Sequence, residues 1–230
     1  MSADSISIPV NDVELGGEFI VPPNASGLVL FAHGSGSSRH SPRNQFVARS
    51  LRDRNIGTLL FDLLTAEEER AEASTRHLRF NIALLTRRLA GATQWALDHA
   101  QRRGINIGYF GSSTGAAAAL MAAAELGESI GAVVSRGGRP DLASEALSAV
   151  TAPTLLIVGE SDAPVIPLNE KAYRRLHCRK ALQIVPGASH LFGEPGALET
   201  AAWMAGEWFA EHLGAGRPGH LLSTRHEEQG

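Results

Sequence analysis

Ile105-Asn106-Ile107-Gly108-Tyr109-Phe110-Gly111-Ser112-Ser113-Thr114-Gly115-Ala116-Ala117 passes from a β-branched apolar run, through a G-x-S-x-G pentapeptide, into an alanine-rich stretch that continues to Ala124. That order reads as a strand turning sharply into a helix. The turn forces its central residue into a strained backbone conformation, and the flanking glycines remove the Cβ atoms that would clash. Ser113 is thereby projected outward at a helix N-terminus, where unpaired backbone N–H groups favour developing negative charge. A pentapeptide of this kind also serves as a simple flexible turn, so the rest of the chain has to decide.

Composition narrows the classes. The 230 residues suit one full α/β domain and are short for two. With 43% hydrophobic and 20% charged residues and a formal net charge of -3, the chain reads as an ordinary soluble protein. Basic residues are scattered among acidic ones, which argues against a nucleic-acid partner. Its single cysteine, Cys178, excludes an internal disulfide and leaves no cysteine cluster for zinc. The N-terminal residues lack a basic, then apolar, leader pattern, and no apolar run approaches the roughly 20 residues needed to span a bilayer. A cytoplasmic protein without a membrane partner is expected.

Ser5 to Val10 and Val13 to Val21 resemble two short strands around Asn11-Asp12. Beyond Pro22-Pro23 come apolar runs at Leu28–Ala32, Thr58–Phe61, Ile105–Phe110, Ile130–Val134, Thr154–Val158 and Ala181–Val185. Continuous runs of this kind suit parallel strands covered on both faces. Helical spacing is seen over Pro42–Arg54, Thr75–Ala100, Leu142–Val150, Leu168–Leu176 and Ala197–Leu213. The alternation predicts an α/β fold with an open, mostly parallel, doubly wound sheet over residues 1–213. Gly214 to Gly230 reads as a poorly ordered tail.

In such a sheet the functional groups collect just past the carboxyl ends of the strands. His33-Gly34-Ser35-Gly36 follows one strand, Ser113 another, Gly159-Glu160-Ser161-Asp162 a third, and Pro186-Gly187-Ala188-Ser189-His190 the last. A serine hydroxyl needs a base that takes its proton during attack, and His190 fits that role. The base needs a carboxylate to fix its tautomer, and Asp162 fits, with Glu160 and Asp141 as rivals. Backbone N–H groups of Thr114 and Ser35 are the expected oxyanion donors, and His33 is expected to hold the Ser35 loop through hydrogen bonds.

Taken together, His33-Gly34, the Gly111–Gly115 elbow, Asp162 and Gly187-Ala188-Ser189-His190 resemble the α/β-hydrolases, and the compact length resembles their dienelactone hydrolase-related branch. The resemblance spans roughly Gly27 to Leu213. It implies a hydrolase of esters, lactones or thioesters acting through an acyl-enzyme. Dienelactone hydrolases proper carry cysteine at the elbow, where this chain has Ser113, so a serine esterase of related fold is the expectation. Some similar chains join this domain to a phosphoribosyltransferase-like domain, for which 230 residues leave no room.

Only a loop and one helix fit between Arg136 and Pro153, so no sizeable lid and a fairly open site are expected. Of the residues that follow the oxyanion loop (Arg39, His40 and Arg43) and the Ile130–Val134 run (Arg136 and Arg139), Arg39 and Arg136 are the candidates for recognising an anionic part of a small ester. The glycine-rich His33–Ser38 lacks the Lys-Ser/Thr ending of a P-loop and the spacing of a dinucleotide fold, so no cofactor is expected, and no metal. The sequence leaves the oligomeric state open between monomer and homodimer. It also leaves open an acyltransferase or amidase using the same residues, and a noncatalytic binding protein on the same fold.

Overall fold

The computed structural model describes residues 4–75, 77–101 and 104–214. Eight strands form one sheet: β1 (Asp4–Val10), β2 (Val13–Ile20), β3 (Gly27–Ala32), β4 (Ile56–Phe61), β5 (Asn106–Ser112), β6 (Ile130–Arg136), β7 (Thr154–Gly159) and β8 (Lys180–Val185). Their order across the sheet is β1-β2-β4-β3-β5-β6-β7-β8. β1 and β2 form an antiparallel hairpin, β2 joins β4 antiparallel, and every other pairing is parallel.

The six α-helices are α1 (Pro42–Arg52), α2 (Ala66–Thr75), α3 (Ile82–Gln101), α4 (Thr114–Leu126), α5 (Ile166–Arg175) and α6 (Ala197–Leu213). Because side chains alternate along a strand, the apolar runs of the central strands feed two cores. Leu28, Leu30, Tyr109 and Val133 face α3 and α4 on one side. Val29, Phe31, Phe110 and Val134 face α1 and α6 on the other. The chain winds outward from β3 in both directions, so β3 and β5 lie side by side while their following segments leave to opposite sides. Strand order reverses there, and an open α/β sheet places its ligand crevice at such a point.

The strands fall where the apolar runs predict them. Two helical expectations are corrected. Thr75–Ala100 is not one helix: α3 begins at Ile82, because the Asn81 carboxamide accepts a hydrogen bond from the Leu84 N–H (3.0 Å) and caps the new start. The acidic helix α2 precedes it. Leu142–Val150 is two 3-10 turns, Pro140–Ala143 and Leu147–Ala149, rather than an α-helix. Ala143, Leu147 and Val150 are buried in the core, and their anchoring outweighs a helix too short to repay its own nucleation. No lid interrupts this stretch. Apart from Gly214, the expected tail lies outside the described residues. No helix among the described residues is long and apolar enough to cross a membrane.

Candidate active site

Ser113 joins β5 to α4 with φ 50° and ψ -122°, a left-handed conformation that non-glycine residues avoid. Its carbonyl accepts from the Ala116 N–H (3.2 Å) and the Arg139 N–H (3.0 Å), which hold the strained turn. The elbow glycines are required by close packing. A Cβ on Gly111 would stand 2.5 Å from the Ala116 Cα, and one on Gly115 would meet the carbonyl oxygens of Ala32 and His33. The alanine face of α4 lets the helix settle directly on the sheet.

The loops after β7 and β8 supply the other two groups. Asp162, 7% exposed, sits beyond β7, and its Oδ2 lies 2.7 Å from His190 Nδ1. The His190 loop is fixed from several directions. The Ser189 N–H donates to the Glu194 carboxylate (3.0 Å), and the Ser189 hydroxyl first, then this N–H, hold that carboxyl below its usual range. Phe192, at φ 55°, is buried behind His190, and the Arg136 guanidinium lies 5.4 Å above its ring centre. The rival acids have other partners. Glu160 accepts from the Gly187 N–H (2.9 Å), bracing the same loop, and Asp141 makes a two-pronged pair with Arg139 (2.9 and 2.8 Å).

Ser113 and His190 line one cavity of about 200 Å³, together with Ser35, Ser41, Arg43, Asn44 and Arg136. The hydrogen bonds among the described residues include His190 to Asp162 but none between Ser113 and His190. Such contacts are often long before substrate tightens them.

His33 anchors the facing loop as the sequence predicts. Its Nε2 accepts from the Leu63 N–H (3.0 Å), so the ring proton is on Nδ1, which points at the Gly34 carbonyl (3.0 Å). Burial holds His33 below its ordinary value, which favours the neutral ring this arrangement needs. The Ser35 N–H lies at the mouth of the site, but it donates to Thr114 Oγ1 (3.1 Å). The Thr114 hydroxyl thus ties the start of α4 to the Ser35 loop. Nothing in the sequence pattern signalled that bond, because it joins residues 79 apart.

The two candidate arginines separate. Arg39 does not line this cavity: its guanidinium pairs with Asp62, its N–H donates to Asp62 Oδ1 (2.7 Å), and it borders a neighbouring hollow with Glu14 and Glu69. A local acid captured it. Arg136 does line the cavity, and Arg43 stands there in place of Arg39.

Fold and elbow together define an α/β-hydrolase. Residues 25–202 match the family described as "Alpha/beta hydrolase domain", and the chain belongs to that family, in its dienelactone hydrolase-related branch. It is similar to a dienelactone hydrolase of Anabaena variabilis, with 55% identity and a TM-score of 0.90 over 92% of this chain and 98% of that one. It is also 49% identical, over 91% of its length, to a Mycobacterium tuberculosis protein whose name assigns it provisionally as a phosphoribosyl transferase. The match spans 46% of that protein, so the chain covers about half the length of the curated relatives it matches. Carboxyl esterase 2 of Tuber melanosporum shares the fold at 18% identity, with a TM-score of 0.72 over 92% of this chain and 87% of that one.

Proposed function

We propose that the chain is a serine hydrolase that cleaves small carboxylic esters, lactones and thioesters included, through an acyl-enzyme on Ser113. The observation that carries this reading is the 2.7 Å contact of His190 with buried Asp162, on the same cavity as a serine held in an elbow. Asp162 holds the proton on His190 Nδ1 and leaves Nε2 as the base. Nε2 takes the Ser113 proton as Oγ bonds to the substrate carbonyl carbon. The carbonyl π electrons move onto oxygen, where the N–H groups of Thr114 and Ser35 stabilise them. Collapse of that intermediate breaks the ester C–O bond, and His190 passes its proton to the departing alcohol. Water, deprotonated by His190, then attacks the acyl-enzyme, releases the acid and restores Ser113.

Ser35 has to share or exchange its bond to Thr114 Oγ1 as the oxyanion forms. The transferase name of the mycobacterial relatives belongs to proteins about twice this length, whereas the residues matched here carry the elbow and the His-Asp pair. The test is turnover of short-chain aryl esters by wild type, Ser113→Ala and His190→Ala. Loss of about 10⁴-fold or more in kcat is expected for either variant, since such residues act as a unit. Undiminished turnover by Ser113→Ala would overturn the proposal.

A further inference from the structure

Two arginines, Arg88 and Arg136, are buried among the described residues, and their surroundings differ. Arg88 is paired with Glu68 at 2.8 Å. Arg136, 5% exposed, forms no ion pair with a described acid, and its Nε has no hydrogen-bond partner. Removing a cation from water without a counter-charge is costly, so a guanidinium buried in this way needs a reason. A second guanidinium, that of Arg43, faces the same cavity and likewise has no acid partner among the described residues. Burial first, and then Arg43, draw Arg136 down to about 10, which leaves its guanidinium charged at neutral pH.

Helix α1 strengthens the field. Its N-cap Ser41 and first-turn residues Arg43 and Asn44 line the cavity, so the partly positive end of the helix faces it too. Asn44 is 2% exposed, and no hydrogen bond among the described residues uses its side-chain amide. Three features thus converge beside Ser113: two unpaired guanidiniums, a helix N-terminus and a free carboxamide.

We propose that Arg43, Arg136 and the first turn of α1 form a subsite for a phosphate monoester carried by the substrate next to the ester that Ser113 attacks. The subsite rests on the hydrolase reading for its place beside the reacting bond. Charge decides between anions. A carboxylate would leave one of the two guanidinium charges uncompensated, whereas a phosphate monoester carries about -1.5 to -2 at pH 7 and offers three acceptor oxygens. Planar guanidinium forks pair with two such oxygens at once, and the Asn44 amide can donate to the third.

The test is equilibrium binding of phenyl phosphate, benzoate and benzyl alcohol to wild type and to Ser113→Ala, by calorimetry. Phenyl phosphate is expected to bind about tenfold or more tightly than benzoate, and benzyl alcohol still more weakly. Arg43→Gln and Arg136→Gln should each weaken phenyl phosphate by about 10- to 100-fold, as the loss of a charged hydrogen bond does. Arg43, half-buried at the start of a helix, carries the test should Arg136→Gln fail to fold. Equal affinity for benzoate and phenyl phosphate would overturn the phosphate assignment. Absence of phenyl phosphate binding, or binding undiminished in Arg43→Gln, would overturn the subsite. Binding to Ser113→Ala needs no turnover, so failure here leaves the Ser113 mechanism standing, and failure of that mechanism leaves this result readable.

Discussion

Gly115→Ala isolates the packing on which the elbow depends. The added Cβ would stand 2.5 Å from the His33 carbonyl oxygen and 2.6 Å from the Ala32 carbonyl carbon, against an ordinary contact of 3.4 Å or more. The shortfall is about 0.9 Å at the His33 oxygen and larger at the Ala32 carbonyl oxygen, the nearest atom, and both fall on backbone, which cannot rotate away. Either α4 lifts off the end of β3 or the His33–Ser35 loop is pushed aside. Overpacking of this kind costs about 1 to 3 kcal/mol, and the upper end is expected because both neighbours are main chain. A displacement near 1 Å between Ser113 and the Ser35 loop should lower kcat/KM by about 100-fold. Gly193→Ala is the control: nothing lies within 4 Å of its Cβ position, so its stability should stay within about 0.5 kcal/mol of wild type. Urea unfolding and aryl-ester kinetics on the three proteins measure both effects. Wild-type stability and activity in Gly115→Ala would refute the argument that this glycine is demanded by contact.

Asp162→Asn should lower kcat by about 10⁴-fold by misorienting His190, while Glu160→Gln, which touches the loop and not the imidazole, should cost less than about tenfold; steady-state kinetics separate them. Thr114→Val removes the acceptor of the Ser35 N–H and should cost about 1 kcal/mol in urea unfolding while Ser113 still reacts with a fluorophosphonate. His33 is held below its ordinary 6.5, so the unfolded chain binds more protons as pH falls. Its contribution to stability is therefore full above pH 6.5 and lost as pH falls from there through the folded value. Urea midpoints between pH 5 and 8 should show this slope in wild type, and a smaller one in His33→Gln.

The strands were legible because each central one is an unbroken apolar run, and the positions of Ser113, Asp162 and His190 followed from the strand ends. Helix α2 carries no apolar period and was passed over, yet its start holds a readable signal. The Thr65 hydroxyl accepts from the Glu68 N–H (3.1 Å) and the Glu68 carboxylate from the Thr65 N–H (2.7 Å), the capping box of a T-x-x-E sequence. The choice between Arg39 and Arg43 was not legible. It depends on the reach of Asp62 across 23 residues and on which way α1 leaves the loop, neither of which has a local pattern. The Ser35–Thr114 bond and the isolation of Arg136 are likewise products of the assembled sheet.

The measurement closest to the central claim is site-mapped labelling. The protein is treated with a fluorophosphonate, digested, and its peptides identified by mass. One adduct per chain on Ser113 is expected, formed rapidly in wild type, absent in Ser113→Ala and strongly slowed in His190→Ala. An adduct on Ser112 or elsewhere, or labelling of Ser113 that is indifferent to His190, would contradict the account.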